Sequence, residues 1–269
     1  MVETIELRDY APESPADTRP VLLQHGLFED LDQLDELARA LCDLGLHVRA
    51  HSLPGHGGST CDKGDLVFYN LEDYVNPLGR LLSRAKPLPV VVTHGAASLM
   101  MLRLLEDRKE RAHLVQELPG WVALQPAAPE GLAAFRKRLF SKHPIAARKV
   151  AFAKRPADWF RSGRAKAWLT TPQDPRDASA VEALVRDESW QVVDPLTRGI
   201  DLRPRAFTPK TLVLAGRQDR LTEASETEAL AADLNAELEW LEDTGAWLRP
   251  GDDTRAVAER IAAFVRKTG

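Results

Sequence analysis

Cysteine is scarce in this chain, with two residues in 269, Cys42 and Cys61. Two cysteines give neither a disulfide framework nor zinc-type spacing, so the fold rests on its own core and the thiols read as free. Histidine is equally sparse and unevenly placed, with seven in all and none after His143. The C-terminal part therefore lacks the side chain best suited to accept a proton near neutral pH. No apolar run approaches the length of a membrane span. The opening Met-Val-Glu-Thr-Ile-Glu-Leu-Arg-Asp alternates charged and apolar residues. It suits an edge strand and lacks the basic-then-apolar pattern of a secretory leader, so a cytoplasmic protein is the default expectation. His51 and His56 form no ligand-like cluster with Cys61, so no metal is expected, and nothing in the sequence calls for a cofactor.

What is present is an ordinary globular composition, 44% hydrophobic and 28% charged. The length suits one large α/β domain with an inserted segment. The net charge of -4 conceals an asymmetry: Arg136 to Lys166 carries eleven Lys and Arg against the single acid Asp158. That stretch is +10, which leaves -14 on the remainder. Much of it reads as amphipathic helix, apolar toward the core and solvated outside. The excess nevertheless demands an anionic counterpart, for which Arg136, Arg138, Arg148, Arg155 and Arg161 are the binding candidates. The counterpart is the acidic remainder of the chain, an acidic protein partner, a small anionic ligand or a membrane surface. Nucleic acid ranks last, for want of any recognisable reading module.

Short β-branched runs bounded by turn residues alternate with helical patterns, the signature of a doubly wound, mostly parallel sheet. The strand candidates are Thr4–Leu7, Val21–Gln24, His47–His51, Val90–Thr93, Trp121–Leu124, Thr211–Ala215 and Glu237–Leu241. Leu31, Leu34, Leu37, Ala38 and Leu41 share one helical face, as do Leu99, Leu102 and Leu105. A last helix is predicted over about 253–266, with Asp252 or Asp253 as its N-cap. The alternation breaks between about Ala127 and Phe207, where strand signals vanish. The predicted organisation is thus a core over 1–126, a basic helical cap over 127–207 and the second part of the core over 208–269.

Four local patterns bear on chemistry. Leu22-Leu-Gln-His-Gly-Leu-Phe28 is a strand ending in His-Gly, and Ser52-Leu-Pro-Gly-His-Gly-Gly-Ser59 is a glycine-rich loop. Pro89-Val-Val-Val-Thr-His-Gly-Ala-Ala-Ser98 is an apolar strand running into a turn of very small residues, and Thr211-Leu-Val-Leu-Ala-Gly-Arg-Gln-Asp219 ends in a Gly-x-x-Asp turn. In this order they resemble the α/β-hydrolase family of esterases, lipases and thioesterases. The resemblance implies that fold with a helical cap. It also implies an oxyanion hole from the Leu27 and Ala96 N–H groups, with His25, Gly26 and His94 beside it. Ser52 stands where the family's loop usually has an acid.

The resemblance also places the family's nucleophile at Gly95, its acid at Asp219 and its histidine at Trp247, 28 residues beyond Asp219. Glycine cannot attack, although it accepts the positive-φ conformation of such a turn. An indole donates only and cannot serve as a base. No catalytic residue is therefore intact. The expectation is a non-catalytic or repurposed member that binds an acyl-type or anionic ligand, or a protein partner. Two alternatives stay open: an esterase, lipase or thioesterase whose serine is replaced by glycine, or a cofactor-free lyase or isomerase using the oxyanion hole. For Ser98, helix packing or a local backbone hydrogen bond is the preferred reading. For Asp219 it is capping of nearby N–H groups, or pairing with Arg217 or Arg220.

Overall fold

The computed structural model describes residues 4–16, 18–106, 116–129, 131–142, 154–160, 165–200, 202 and 209–268. Seven strands form one sheet: β1 (Leu7–Tyr10), β2 (Val21–Gln24), β3 (Val48–His51), β4 (Val90–His94), β5 (Trp121–Leu124), β6 (Thr211–Gly216) and β7 (Glu237–Leu241). Their order is β1-β3-β2-β4-β5-β6-β7. β1 is antiparallel to β3, and every other neighbouring pair is parallel.

The central strands are buried on both faces, which is why β2, β4 and β5 read as nearly continuous apolar runs. Alternate residues nonetheless feed two separate cores. Val21, Leu23, Val90 and Val92 face α1 (Asp35–Asp43) and α9 (Asp252–Thr268). Leu22, Val91 and Val213 face α2 (Leu71–Arg84), α3 (Ala97–Leu105) and the segment between β5 and β6. In that segment the described regular elements are helical: α4 (Ala133–Lys142), α5 (Ala165–Leu169), α6 (Ala178–Leu184) and α7 (Trp190–Arg198). A further helix, α8 (Ala224–Asp233), joins β6 to β7. Among the described residues no helix is long and apolar enough to cross a membrane.

Two sequence-based expectations need correction. The first strand is Leu7–Tyr10, not Thr4–Leu7, because β1 takes its register from β3, with Leu7 opposite His51 and Tyr10 opposite Val48. Residues 4–6 instead join the glycine-rich loop, where Thr60 N donates to Thr4 O and Ser52 N to Glu6 O. The final helix begins at Asp252, so neither aspartate precedes it as a cap. Asp253 is held instead by Arg249, through two contacts of 2.6 Å.

Candidate functional site

β4 ends at His94 and α3 starts at Ala97, so the chain reverses across Gly95 and Ala96. Gly95 sits at φ +55, in the left-handed region that glycine enters at least cost. Its N–H donates to Leu124 O, and its carbonyl accepts from Ser98 N and Ala127 N. Ser98 Oγ lies 2.8 Å from both Gly95 O and Ala127 O, so this fully buried hydroxyl secures the turn from within and does not face a ligand.

The His25-Gly26 turn presses against this reversal. A Cβ on Gly26 would stand 2.8 Å from His94 O, so only glycine lets the two backbones meet. His25 is spent on structure: its Nε2 accepts from Leu53 N at 3.0 Å and its Nδ1 donates to Gly26 O at 2.8 Å. Burial and the neighbouring His56 hold its pKa well below the usual histidine value, so this ring is neutral.

Beside Gly95 lies a cavity of about 60 Å³. Gly95, Ala96, Leu27 and Glu29 line its floor, Asp219, Ala246 and Trp247 line one wall, and Phe160, Leu169 and Leu196 come from the β5–β6 segment. Phe160 meets Phe28 edge-on, with ring centroids 4.9 Å apart. The sequence-based candidates Gly95, Leu27, Ala96, Asp219 and Trp247 are thus brought together, whereas His25, Gly26 and His94 stand behind the lining. Among the described residues, neither the Leu27 N–H nor the Ala96 N–H is taken up by a protein acceptor.

Asp219 closes its own turn: Oδ1 accepts from Leu221 N at 2.7 Å and Thr222 N at 3.3 Å. Arg217 turns elsewhere, with its guanidinium 3.9 Å from the Trp240 ring centroid. Trp247, 6% exposed, is fixed by its backbone N–H on Leu169 O at 2.7 Å. Ala246, immediately after Gly245, lines the same wall.

Three residues that the sequence reading did not single out shape the site. Glu29, 2% exposed, accepts through Oε2 from Gly26 N at 2.9 Å and faces His94 Nδ1 at 2.8 Å. Burial alone pulls the His94 pKa down, but the Glu29 carboxylate and the more distant Asp219 outweigh it, and the net shift is upward. Gln125, at φ +49, offers Oε1 to Gly216 N at 2.5 Å and so ties the end of β5 to the end of β6. Glu188, from the β5–β6 segment, takes Phe28 N (3.0 Å) and His56 Nε2 (3.1 Å) on one oxygen and Tyr74 OH (3.0 Å) on the other. It clamps the loop that carries Leu27 and Glu29, in which Phe28 sits at φ +64. Glu29 follows the His-Gly turn too closely to show any periodic signal, and Glu188 lies far from its partners in sequence.

Of the basic candidates, Arg136 is exposed on α4, and Arg155 pairs with Asp187 at 3.3 Å. Neither lines the cavity. The Arg138 side chain, Arg148 and Arg161 lie outside the described residues.

The fold is shared with enzymes of diverse origin. A thermophilic esterase from Thermogutta terrifontis superposes with a TM-score of 0.64 at 18% identity, over 99% of this chain and 94% of that one. A monoacylglycerol lipase from Paleococcus ferrophilus gives 0.68 at 18% identity, over 99% and 100%. An esterase from Exiguobacterium antarcticum gives 0.66 at 14% identity, over 98% and 96%. At such identities the likeness establishes architecture alone. Residues 21–260, from the first parallel strand into the last helix, match the family described as the alpha/beta hydrolase family, and the chain belongs to it.

Proposed function

We propose that this chain is a non-hydrolytic member of its family, repurposed to hold a small acyl-type ligand in the cavity roofed by the cap. One observation carries the reading: Gly95, at the apex of the turn facing the cavity, presents no nucleophile, and among the described residues no histidine lines that cavity. Serine hydrolysis needs an attacking oxygen next to an imidazole that removes its proton. The opposite wall offers Ala246 and Trp247, neither of which accepts a proton.

The remaining features favour binding. The unengaged N–H groups of Leu27 and Ala96 suit a carbonyl oxygen, and the walls are largely apolar. A volume of about 60 Å³ is a few water-sized positions, which limits the ligand to a short chain unless the cap moves. An anionic ligand is disfavoured at this spot, because Glu29 and Asp219 line the cavity and, among the described residues, no Lys or Arg does. The basic stretch from Arg136 to Lys166 is a separate candidate for an acidic partner. The free Cys42 and Cys61 suit a reducing, cytoplasmic setting.

Labelling with a fluorophosphonate and turnover of p-nitrophenyl esters test the reading together. Both are expected to be null, and covalent labelling of any serine overturns it.

A further inference from the structure

Glu29 is the polar group of the cavity whose chemistry is most tightly fixed. Oε2 is committed to two neighbours, the Gly26 N–H and His94 Nδ1. Both act as donors, because the shared oxygen belongs to a carboxylate. Oε1 is left facing the space over Gly95, 3.9 Å from where a Cβ on that residue would stand. Among the described residues it takes no hydrogen bond. The atom shown to a ligand is therefore an acceptor only.

Donors lie close by. The position a Cβ on Gly26 would occupy is 3.4 Å from both Glu29 Oε1 and Ala96 N, which brings an acceptor and a donor to one corner of the cavity. A ligand that satisfies this corner must carry a carbonyl oxygen for the N–H groups and, next to it, an N–H for Glu29. A carboxylate offers no such donor and brings a second negative charge against Glu29 in a largely apolar chamber. An ester offers the carbonyl but no donor, and leaves Oε1 desolvated without a partner.

We propose that the cavity is a binding site for a short, neutral, aliphatic primary carboxamide, its carbonyl held by the Leu27 and Ala96 N–H groups and its N–H by Glu29 Oε1. The assignment rests on the reading of the cavity as a non-hydrolytic acyl site and gives it a ligand class. Glu29 is then the residue that sets amide against acid.

Glu29→Gln separates this role from a structural one. Gly26 N and His94 Nδ1 require an oxygen at the Oε2 position, so the variant's NH2 group must face the cavity and turn the acceptor into a donor. Ligand-observed NMR at pH 7.5 with butyramide, butyrate and methyl butyrate reads the outcome. The native chain is expected to bind butyramide at least about tenfold better than butyrate or the ester, and Glu29→Gln to reverse the amide–acid order. Equal binding of amide and acid by the native chain, no binding of butyramide, or an unchanged order in a folded Glu29→Gln overturns the assignment. If the variant does not fold, the native preference decides alone. Release of butyrate and ammonium from bound butyramide overturns the non-hydrolytic reading and leaves the amide assignment standing.

Discussion

His94 Nδ1 stands 2.8 Å from Glu29 Oε2, with both side chains 3% exposed. The pair joins the last residue of β4 to the loop after β2, so the turn at Gly95 and the floor of the cavity are braced by one buried contact. His94 thus serves as the support of Glu29, a polar group of the cavity lining.

Introducing a hydroxyl at the turn apex tests the proposed non-hydrolytic reading. Gly95→Ser has room for its Cβ, which would meet only Glu29 Oε1 within 4 Å. At φ +55 it is expected to cost about 1 kcal/mol in urea unfolding and to remain inactive toward p-nitrophenyl esters, since among the described residues no histidine lines the cavity. Adding Trp247→His, or Ala246→His on the same wall, is expected to bring slow turnover. Substantial hydrolysis by Gly95→Ser alone would count against Trp247 as the position of the family's histidine.

The clamp formed by Glu188 carries a pH signature. Burial lowers the His56 pKa, but Glu188 outweighs it by charge and hydrogen bond, and the folded value lies above 6.5. A raised folded pKa gives stability that is complete below pH 6.5 and lost as pH rises through the folded value. Glu188→Gln is therefore expected to destabilise more at pH 6 than at pH 8.5, on the order of 3 kcal/mol at the lower pH, measured by urea unfolding. An effect that grows with pH would refute this account.

His51 acts with the opposite sign. It is fully buried on β3, and desolvation lowers its pKa from 6.5 to about 4. The unfolded chain takes up the proton first, so stability falls as pH drops from 6.5 toward 4. The contribution is on the order of 3 kcal/mol over that window. Replacing His51 with asparagine should flatten this acid limb; an unchanged slope in urea titrations at stepped pH argues against a neutral buried ring.

Thr93, on β4, accepts from the buried Trp121 Nε1 at 2.9 Å. Thr93→Val keeps the shape and strands the indole N–H. The expected cost is about 1–3 kcal/mol. Trp121→Phe, which removes the stranded donor, is expected to recover part of that loss when combined with it, as a double-mutant cycle in urea can show.

Much of the fold was legible in the chain because burial on both sheet faces writes itself into consecutive residues. Val21–Gln24, Trp121–Leu124 and Glu237–Leu241 coincide with the observed strands. β1 was displaced because an edge strand takes its position from its partner, and its own half-exposed pattern carries little information. The glycine-rich loop shows the same limit. Ser52 carries no charge of its own, yet a carboxylate from a distant segment joins the loop: Glu6 Oε2 accepts from Ser52 Oγ at 2.6 Å and Gly58 N at 2.7 Å. Burial pushes Glu6 upward, but hydrogen bonds from Ser52, Gly58 and Arg8 prevail and lower its pKa.

The sequence by itself determined the order of strands and helices, the glycine at the turn apex and the lack of histidine beyond His143, since each is written in neighbouring residues or in simple absence. Only the tertiary structure decided that Glu29 faces the cavity with one oxygen that takes no hydrogen bond among the described residues, that Glu188 reaches Phe28 across 160 positions, and that Glu6 accepts from Ser52 in the glycine-rich loop. Hydrogen bonds between distant segments depend on where the backbone brings them, and no local periodicity records that.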